Sequence, residues 1–344
     1  MNTIHIAVDI MGGDFAPASI VEGVGEALDL FGDRYHLHLV GDPKAIEKEL
    51  RRIGKWGDQR LEVIPASQVI EMGEHPVSAV RRKRDASINV AMNLVRQKKA
   101  AAVFSAGSTG ATVAAAYFRC SMIPGIERPG IATVFPTEKG HFLLLDAGAS
   151  VDCTPLNLLH YAVMGSIYSQ TILRHKNPRV GLLCNGTEEG KGNKLTQGAF
   201  QLLSEAKKIN FVGNVEGHDL FSGAVDVVIC DGFVGNVVLK SCEQIAVALG
   251  HMVKQQIMQK LHWKLGALMA KGAFVELKKR TDYAEVGGAP LLGVAGVCIV
   301  GHGISNAKAV RNGIRSAGDF VRLRVNETIA EHIKAMSNNT PESR

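Results

Sequence analysis

Short apolar runs recur along the chain, each followed by a Gly-rich break and then by an amphipathic stretch. Residues 4–8, 37–40 and 61–64 are rich in β-branched and aliphatic side chains and predict strands. The first leads into Met11-Gly12-Gly13-Asp14 and a helix over about 17–30; the second leads into Gly41-Asp42-Pro43 and a helix reaching Arg52. Helices follow over 77–84 and 88–98. Residues 102–104 predict a strand that enters Ser105-Ala106-Gly107-Ser108-Thr109-Gly110, with a helix over 111–118 behind it. Further strands are expected at 131–135, 142–145, 180–184, 211–213 and 225–230, and helices over 156–173 and 200–206. Strands alternating with helices predict an α/β fold with three α/β/α layers and a mostly parallel sheet. Ligands of such sheets bind beyond the carboxyl ends of the strands, so several Gly-rich loops are expected on one rim.

The stretch 237–283 breaks this rhythm. It reads as two long helices parted near Gly266, and around the break Trp263, Leu265 and Leu268 interleave with Lys264. That mixture suits a membrane surface, a dimer contact or a core stripe, and the pattern does not choose among them. The uncharged stretches 100–118 and 286–307 approach a membrane span in length. Several Gly interrupt both and Pro290 interrupts the second, so both read as buried strand–loop–helix units. One domain over 1–336, containing the helices of 237–283, and a disordered tail over 337–344 are expected.

With 39 Lys and Arg against 33 Asp and Glu, the formal charge is +6; apolar residues make up 46% and charged residues 21%. This composition excludes a largely disordered chain. No basic segment followed by an apolar one opens the sequence, and six scattered cysteines include no CxxC pair. A reducing cytoplasm is expected, without structural zinc. The positive charge clusters at Arg81-Arg82-Lys83-Arg84 and Lys278-Lys279-Arg280, and recurs at Arg311, Arg315, Arg322 and Arg324. Basic clusters attract acidic partners, but no nucleic-acid motif accompanies them.

Candidate chemistry lies in the 37 glycines. A helix that starts directly after a strand presents unbonded amides and partial positive charge to an anion. Ser105–Gly110 and Asp231-Gly232-Phe233-Val234-Gly235-Asn236 fit this use well, Gly12-Gly13 and Gly301-His302-Gly303 less directly. No Gly-x-Gly-x-x-Gly follows a strand, and 186–192 is one residue short of a phosphate loop, with Gly192 where a hydroxyl is needed. That loop still offers one cation, Lys191. There is no nucleophile elbow, the cysteines sit in apolar segments, and His302 between two glycines is the histidine best placed to line a site. Asp9, Asp14, Asp146 and Asp231 end strands, without the tight ligand spacing of a metal site; no metal or cofactor is expected.

These residues carry a family resemblance. Ile6-Ala-Val-Asp-Ile-Met-Gly-Gly-Asp-Phe-Ala-Pro17, Val80-Arg-Arg-Lys83, Ser105–Gly110, Leu143-Leu-Leu-Asp-Ala-Gly-Ala149, Met164–Ser169, the Gly186 loop, Asp231–Asn236, Tyr283–Gly293 and Gly301–Asn306 follow one another as in the PlsX phosphate acyltransferases of bacterial phospholipid synthesis, which the chain resembles over nearly its whole length. The resemblance implies a fold akin to isocitrate and isopropylmalate dehydrogenases and phosphotransacetylases. It also implies a homodimer, cytoplasmic or peripheral at the membrane, that moves a fatty acyl group from acyl carrier protein to inorganic phosphate. A membrane glycerol-3-phosphate acyltransferase would take the acyl phosphate. On this basis Gly12, Gly13, Ser105, Gly107, Ser108, Thr109, Gly110, Asp231, Gly232 and Gly235 are expected around phosphate and oxyanion. Asn236, Lys191 and His302 are the expected catalytic residues; Arg81, Arg82, Lys83 and Arg84 would dock the acidic carrier protein, and Trp263, Leu265 and Leu268 would touch the membrane. Competing readings are a phosphotransacylase acting on coenzyme A thioesters, a non-catalytic membrane-docked scaffold, and an NAD-linked dehydrogenase that lacks its fingerprint.

Overall fold

The computed structural model describes residues 3–281 and 283–337. The expected tail beyond Ser337 and the side chains of Lys278, Lys279 and Arg280 lie outside the described residues. Among the described residues eleven strands form one sheet: β1 (Ile4–Asp9), β2 (Tyr35–Gly41), β3 (Leu61–Pro65), β4 (Ala102–Ser105), β5 (Gly130–Thr137), β6 (Gly140–Leu145), β7 (Val180–Leu183), β8 (Phe211–Val215), β9 (Val227–Ile229), β10 (Ala289–Leu292) and β11 (Val297–Val300). Their order is β3-β2-β1-β4-β11-β10-β5-β6-β9-β7-β8. The helices are α1 (Ala18–Phe31), α2 (Pro43–Arg52), α3 (Pro76–Arg82), α4 (Ser87–Arg96), α5 (Thr109–Ala115), α6 (Pro155–Thr171), α7 (Lys194–Glu205), α8 (Gly232–Gln259), α9 (Leu261–Met269), α10 (Lys271–Thr281), α11 (Tyr283–Val286), α12 (Ala307–Arg322) and α13 (Val325–Ser337).

Alternation along β1 explains the layers. Ile6 and Val8 join an apolar core with Val24 of α1, Tyr161 of α6 and Ile314 of α12. Ala7 faces the other way, into a core with Met92 of α4 and Ala115 of α5. Helices thus cover both faces of a mostly parallel sheet, as the sequence predicts.

The strand directions carry a feature the sequence did not reveal. β3, β2, β1, β4 and β11 are mutually parallel, and so are β6, β9, β7 and β8. Between the halves, β11/β10, β10/β5 and β5/β6 pair antiparallel. Three reversals leave the two halves running in opposite senses. Sheet twist of about 20–25° per step turns β6 by some 80–100° relative to β4 over four steps. The loops that leave the two halves therefore face each other across the central strands rather than sharing one straight rim.

Two expectations change. Residues 286–307 hold two strands instead of one: β11, its loop and the start of α12 make the expected strand–loop–helix unit, and β10 pairs antiparallel with β11 ahead of it. Pro290, read as a break, sits inside β10 opposite Ile299. The helical stretch parts at Lys260, whose backbone is extended (φ −129°, ψ 139°), and again at Ala270. Gly266 lies within α9, since one helical Gly costs only about 1 kcal/mol. Every residue of α8 from Gln244 to Gln256 is exposed, so this part of the helix projects from the body. By length and composition α8 could also cross a membrane, and only 11% of its most apolar window is buried. Its first turns pack into the fold.

Candidate active site

A cavity of about 460 Å³ opens where the two halves face each other. The β4–α5 loop contributes Gly107 and the first turn of α5 Thr109 and Gly110; the β6–α6 loop contributes Ala147, Gly148 and Val151; the start of α8 contributes Gly232, Phe233 and Asn236. Its wall is completed by Ile131–Val134 of β5, Ala289 and Pro290 of β10, and His302 after β11. The lining is mainly apolar, with a few polar groups converging on it, as in small-molecule sites generally.

Two buried aspartates organise this rim. Asp9 closes β1 and accepts from Ser105 Oγ at 2.7 Å, and Ser105 Oγ in turn accepts from Gly107 N at 3.2 Å. Gly12 packs against the same carboxylate; a Cβ there would lie 2.7 Å from Asp9 Oδ2 and 2.8 Å from Gly107 N. Gly13 lies against the Gly303 carbonyl, which accepts from Asp14 N at 2.8 Å and ties the β1 loop to the β11 loop. Burial, ahead of the hydroxyl and amide donors around it, pushes the Asp9 carboxyl above its ordinary range.

Asp146 plays the matching part after β6. Its carboxylate accepts from the N–H groups of Ile131 (2.8 Å), Gly148 (2.9 Å), Ala149 (2.9 Å) and Ser150 (2.7 Å). Burial is the largest influence on this carboxyl and pushes it up to about 6, against the pull of those donors. Neither aspartate lines the cavity; both hold loops that do.

The expected anion-binding residues divide. Thr109 and Gly110 occupy the first turn of α5, where helical N–H groups lack intrahelical partners, and both line the cavity. Ser108 caps that helix, accepting from Ala111 N at 3.4 Å. Ser105 is fully buried and bonded to Asp9, so it shapes the loop from behind. At α8 the picture is corrected. Gly232 N donates to the Ser150 carbonyl (2.8 Å) and Gly235 N to the Asp231 carbonyl (3.0 Å). The Asp231 side chain accepts from Phe233 N and Val234 N as the helix cap. These amides are already bonded, so the polar groups that this helix presents to the cavity are the side chains of Asn236 and of the ion-paired Lys240 and Glu243.

His302 lines the cavity, and its Nδ1 accepts from Ile304 N at 3.4 Å. Lys191 does not line it; its Nζ stands 4.0 Å from Glu188 in the 186–192 loop. Of the basic cluster, Lys83 is bound to Glu74 and to the Val69 carbonyl (2.6 Å), Arg82 pairs with Glu74 at 3.1 Å, and Arg81 lies over the Phe118 ring at 4.6 Å. Arg84 is exposed. This cluster borders the site, because Pro76 at the start of α3 packs on Gly110. The β5 and β10 wall was not foreseen: mid-strand residues become lining only through the reversed pairing. The Gly287-Gly288 pair, with φ of 84° and 158°, was the available signal.

The model of a family described as fatty acid synthesis protein matches residues 4–328. A phosphate acyltransferase of Pelotomaculum thermopropionicum is 51% identical over 97% of this chain and 96% of its own length. Another, from Heliobacterium modesticaldum, is 49% identical over 96% and 98%. Among solved structures, the EutD phosphotransacetylase of Staphylococcus aureus aligns with a TM-score of 0.58 at 16% identity, covering 93% of this chain and 94% of its own. A branched-chain phosphotransacylase of Enterococcus faecalis aligns with a TM-score of 0.55 at 13% identity, covering 92% and 99%. These two likenesses concern the fold. With a family model spanning nearly all of it and relatives this similar end to end, the chain belongs to the fatty acid synthesis protein family of phosphate acyltransferases and is an acyltransferase.

Proposed function

We propose that this acyltransferase moves a fatty acyl group from the thioester of acyl carrier protein to inorganic phosphate, for phospholipid synthesis. The observation that carries the reading is the apolar cavity on which the first turn of α5, Asn236 and His302 converge. A phosphate oxygen attacks the thioester carbonyl carbon. The tetrahedral oxyanion collapses, the C–S bond breaks, and the departing thiolate takes a proton, leaving acyl phosphate. Phosphate is itself the nucleophile, which accords with buried thiols such as Cys120 and Cys298, held by burial far from their reactive form. Thr109 and Gly110 amides suit the phosphate, Asn236 the oxyanion and His302 the thiolate. Holding the reactants together contributes up to roughly 7–11 kcal/mol, and one oxyanion donor about 10²–10³ in rate. Incubating palmitoyl-carrier protein with the enzyme and phosphate should yield acyl phosphate, trapped as the hydroxamate. Faster consumption of palmitoyl-coenzyme A would favour the coenzyme A reading, and no phosphate-dependent consumption of either would leave the scaffold.

The acidic carrier protein is proposed to dock beside Pro76, on Arg82 and Arg84. Exchange of both for Glu should lower kcat/KM for the carrier-bound substrate about tenfold and flatten its salt dependence, with the coenzyme A thioester unaffected. Equal losses on both substrates would reject this dock. In α9, Leu265 is 57% and Leu268 68% exposed, beside Trp263. This apolar patch supports a peripheral membrane contact that delivers acyl phosphate to a glycerol-3-phosphate acyltransferase; the exposed arm of α8 would serve a homodimer. Leu265→Glu with Leu268→Glu is expected to abolish sedimentation with anionic liposomes and leave the unfolding midpoint within a degree or two.

A further inference from the structure

At the opposite end of the sheet from the cavity, three imidazoles meet. His5 of β1 and His36 of β2 are cross-strand partners, and His38 follows two residues later on the same face. One ring nitrogen from each lies within 4.8 Å of the others. His5 Nδ1 stands 3.1 Å from His38 Nε2. A tetrahedral zinc ion with Zn–N bonds of about 2.0–2.1 Å spaces its donors about 3.3–3.4 Å apart, so this pair is already near that separation.

The third strand supplies an orienting group. Glu62 of β3 is the register partner of His38, and its Oε2 lies 2.8 Å from His38 Nδ1. A proton on Nδ1, shared with that carboxylate, leaves the Nε2 lone pair turned toward His5. This is the carboxylate–imidazole pairing that fixes the tautomer of metal-binding histidines. His38 is buried, His36 half-buried and His5 exposed, so the cluster opens to solvent on one side.

We propose that His5, His36 and His38 form a binding site for a divalent first-row transition cation such as zinc, with Glu62 positioning His38. Three nitrogen donors favour zinc, copper or nickel over magnesium or calcium. Three residues of β1 lie between His5 and Asp9, four steps or about 13 Å of strand, so the ion would pin β1 to β2 near the β3 edge of the sheet and take no part in acyl transfer.

The test uses untagged full-length chain, stripped with chelator and then equilibrated with zinc or cobalt. The expected result is one equivalent of zinc per chain by elemental analysis after gel filtration, cobalt d–d bands of a nitrogen-rich four-coordinate site, and an unfolding midpoint raised by a few degrees. His5→Gln, at an exposed position, should fold normally, weaken zinc at least tenfold and leave acyl transfer unchanged. Glu62→Gln should weaken zinc about tenfold, with the cobalt bands shifted but present. No stoichiometric uptake at tens of micromolar zinc would overturn the proposal. So would uptake undiminished in His5→Gln and His36→Gln, which would put the ion on the cysteines.

Discussion

Gly235→Ala is expected to reduce turnover by 10²-fold or more and to destabilise the chain by about 3 kcal/mol. A Cβ at this position would lie 1.8 Å from the Asp146 carbonyl oxygen, 2.9 Å from its carbon and 3.0 Å from Cys230 Sγ. The nearest obstacle is backbone at the end of β6, which cannot swing aside as a side chain does. α8 must retreat by more than 1 Å, and with it Gly232, Phe233 and Asn236, all of which line the cavity. Overpacking of this kind costs about 1–3 kcal/mol or more, and a 1 Å misplacement of reacting groups about 10²-fold in rate. Gly250→Ala, on the exposed arm of the same helix with nothing within 4 Å, is the control. It should stabilise the chain by up to about 1 kcal/mol and leave turnover alone. Steady-state rates and urea unfolding of the two variants decide the matter; equal behaviour would refute the argument.

Asp146→Ala is the second large effect. Removing the carboxylate strands four N–H groups, of which those of Ile131 and Ser150 are in fully buried bonds. At about 1–3 kcal/mol for each buried orphan, the expected loss at pH 7 is about 2–6 kcal/mol. The loss should also depend on pH. In the folded chain the carboxyl holds its proton up to about pH 6, against 3.8 for an ordinary aspartate. Between those values the folded state binds the extra proton, so stability falls as pH rises and the loss is complete above about 6. Two pH units correspond to about 3 kcal/mol. The gap between wild type and Asp146→Ala should therefore widen as pH drops from 6.5 toward 4. A gap constant across that window would show that Asp146 is ionised throughout.

Much of the frame was legible because β-branched runs followed by Gly announce buried strands directly. Residues 4–8, 37–40, 61–64 and 131–135 fall inside strands for that reason. What stayed hidden depends on partners distant in sequence. Pro290 reads as a break until Ile299 is seen beside it. The amides of Gly232 and Gly235 read as anion ligands until Ser150 and the Asp231 backbone are found to occupy them. His5, His36 and His38 are 31 and 2 residues apart and resemble no ligand motif; parallel register alone gathers them. Asp146 reads only as a strand-ending carboxylate, since its four partners come from two segments joined only by β5/β6 pairing.

The helix that begins at Gly232 is both wall and arm. Its 28 residues span about 42 Å; the first three turns face the cavity and the rest stand clear of the body. Held near Gly235, where backbone meets backbone, it would act as a lever: a tilt there would carry Gln259, about 36 Å away, about three times as far as Glu243, about 12 Å away at the cavity. A partner clasping the far end would therefore restrain the cavity mechanically through one stiff rod.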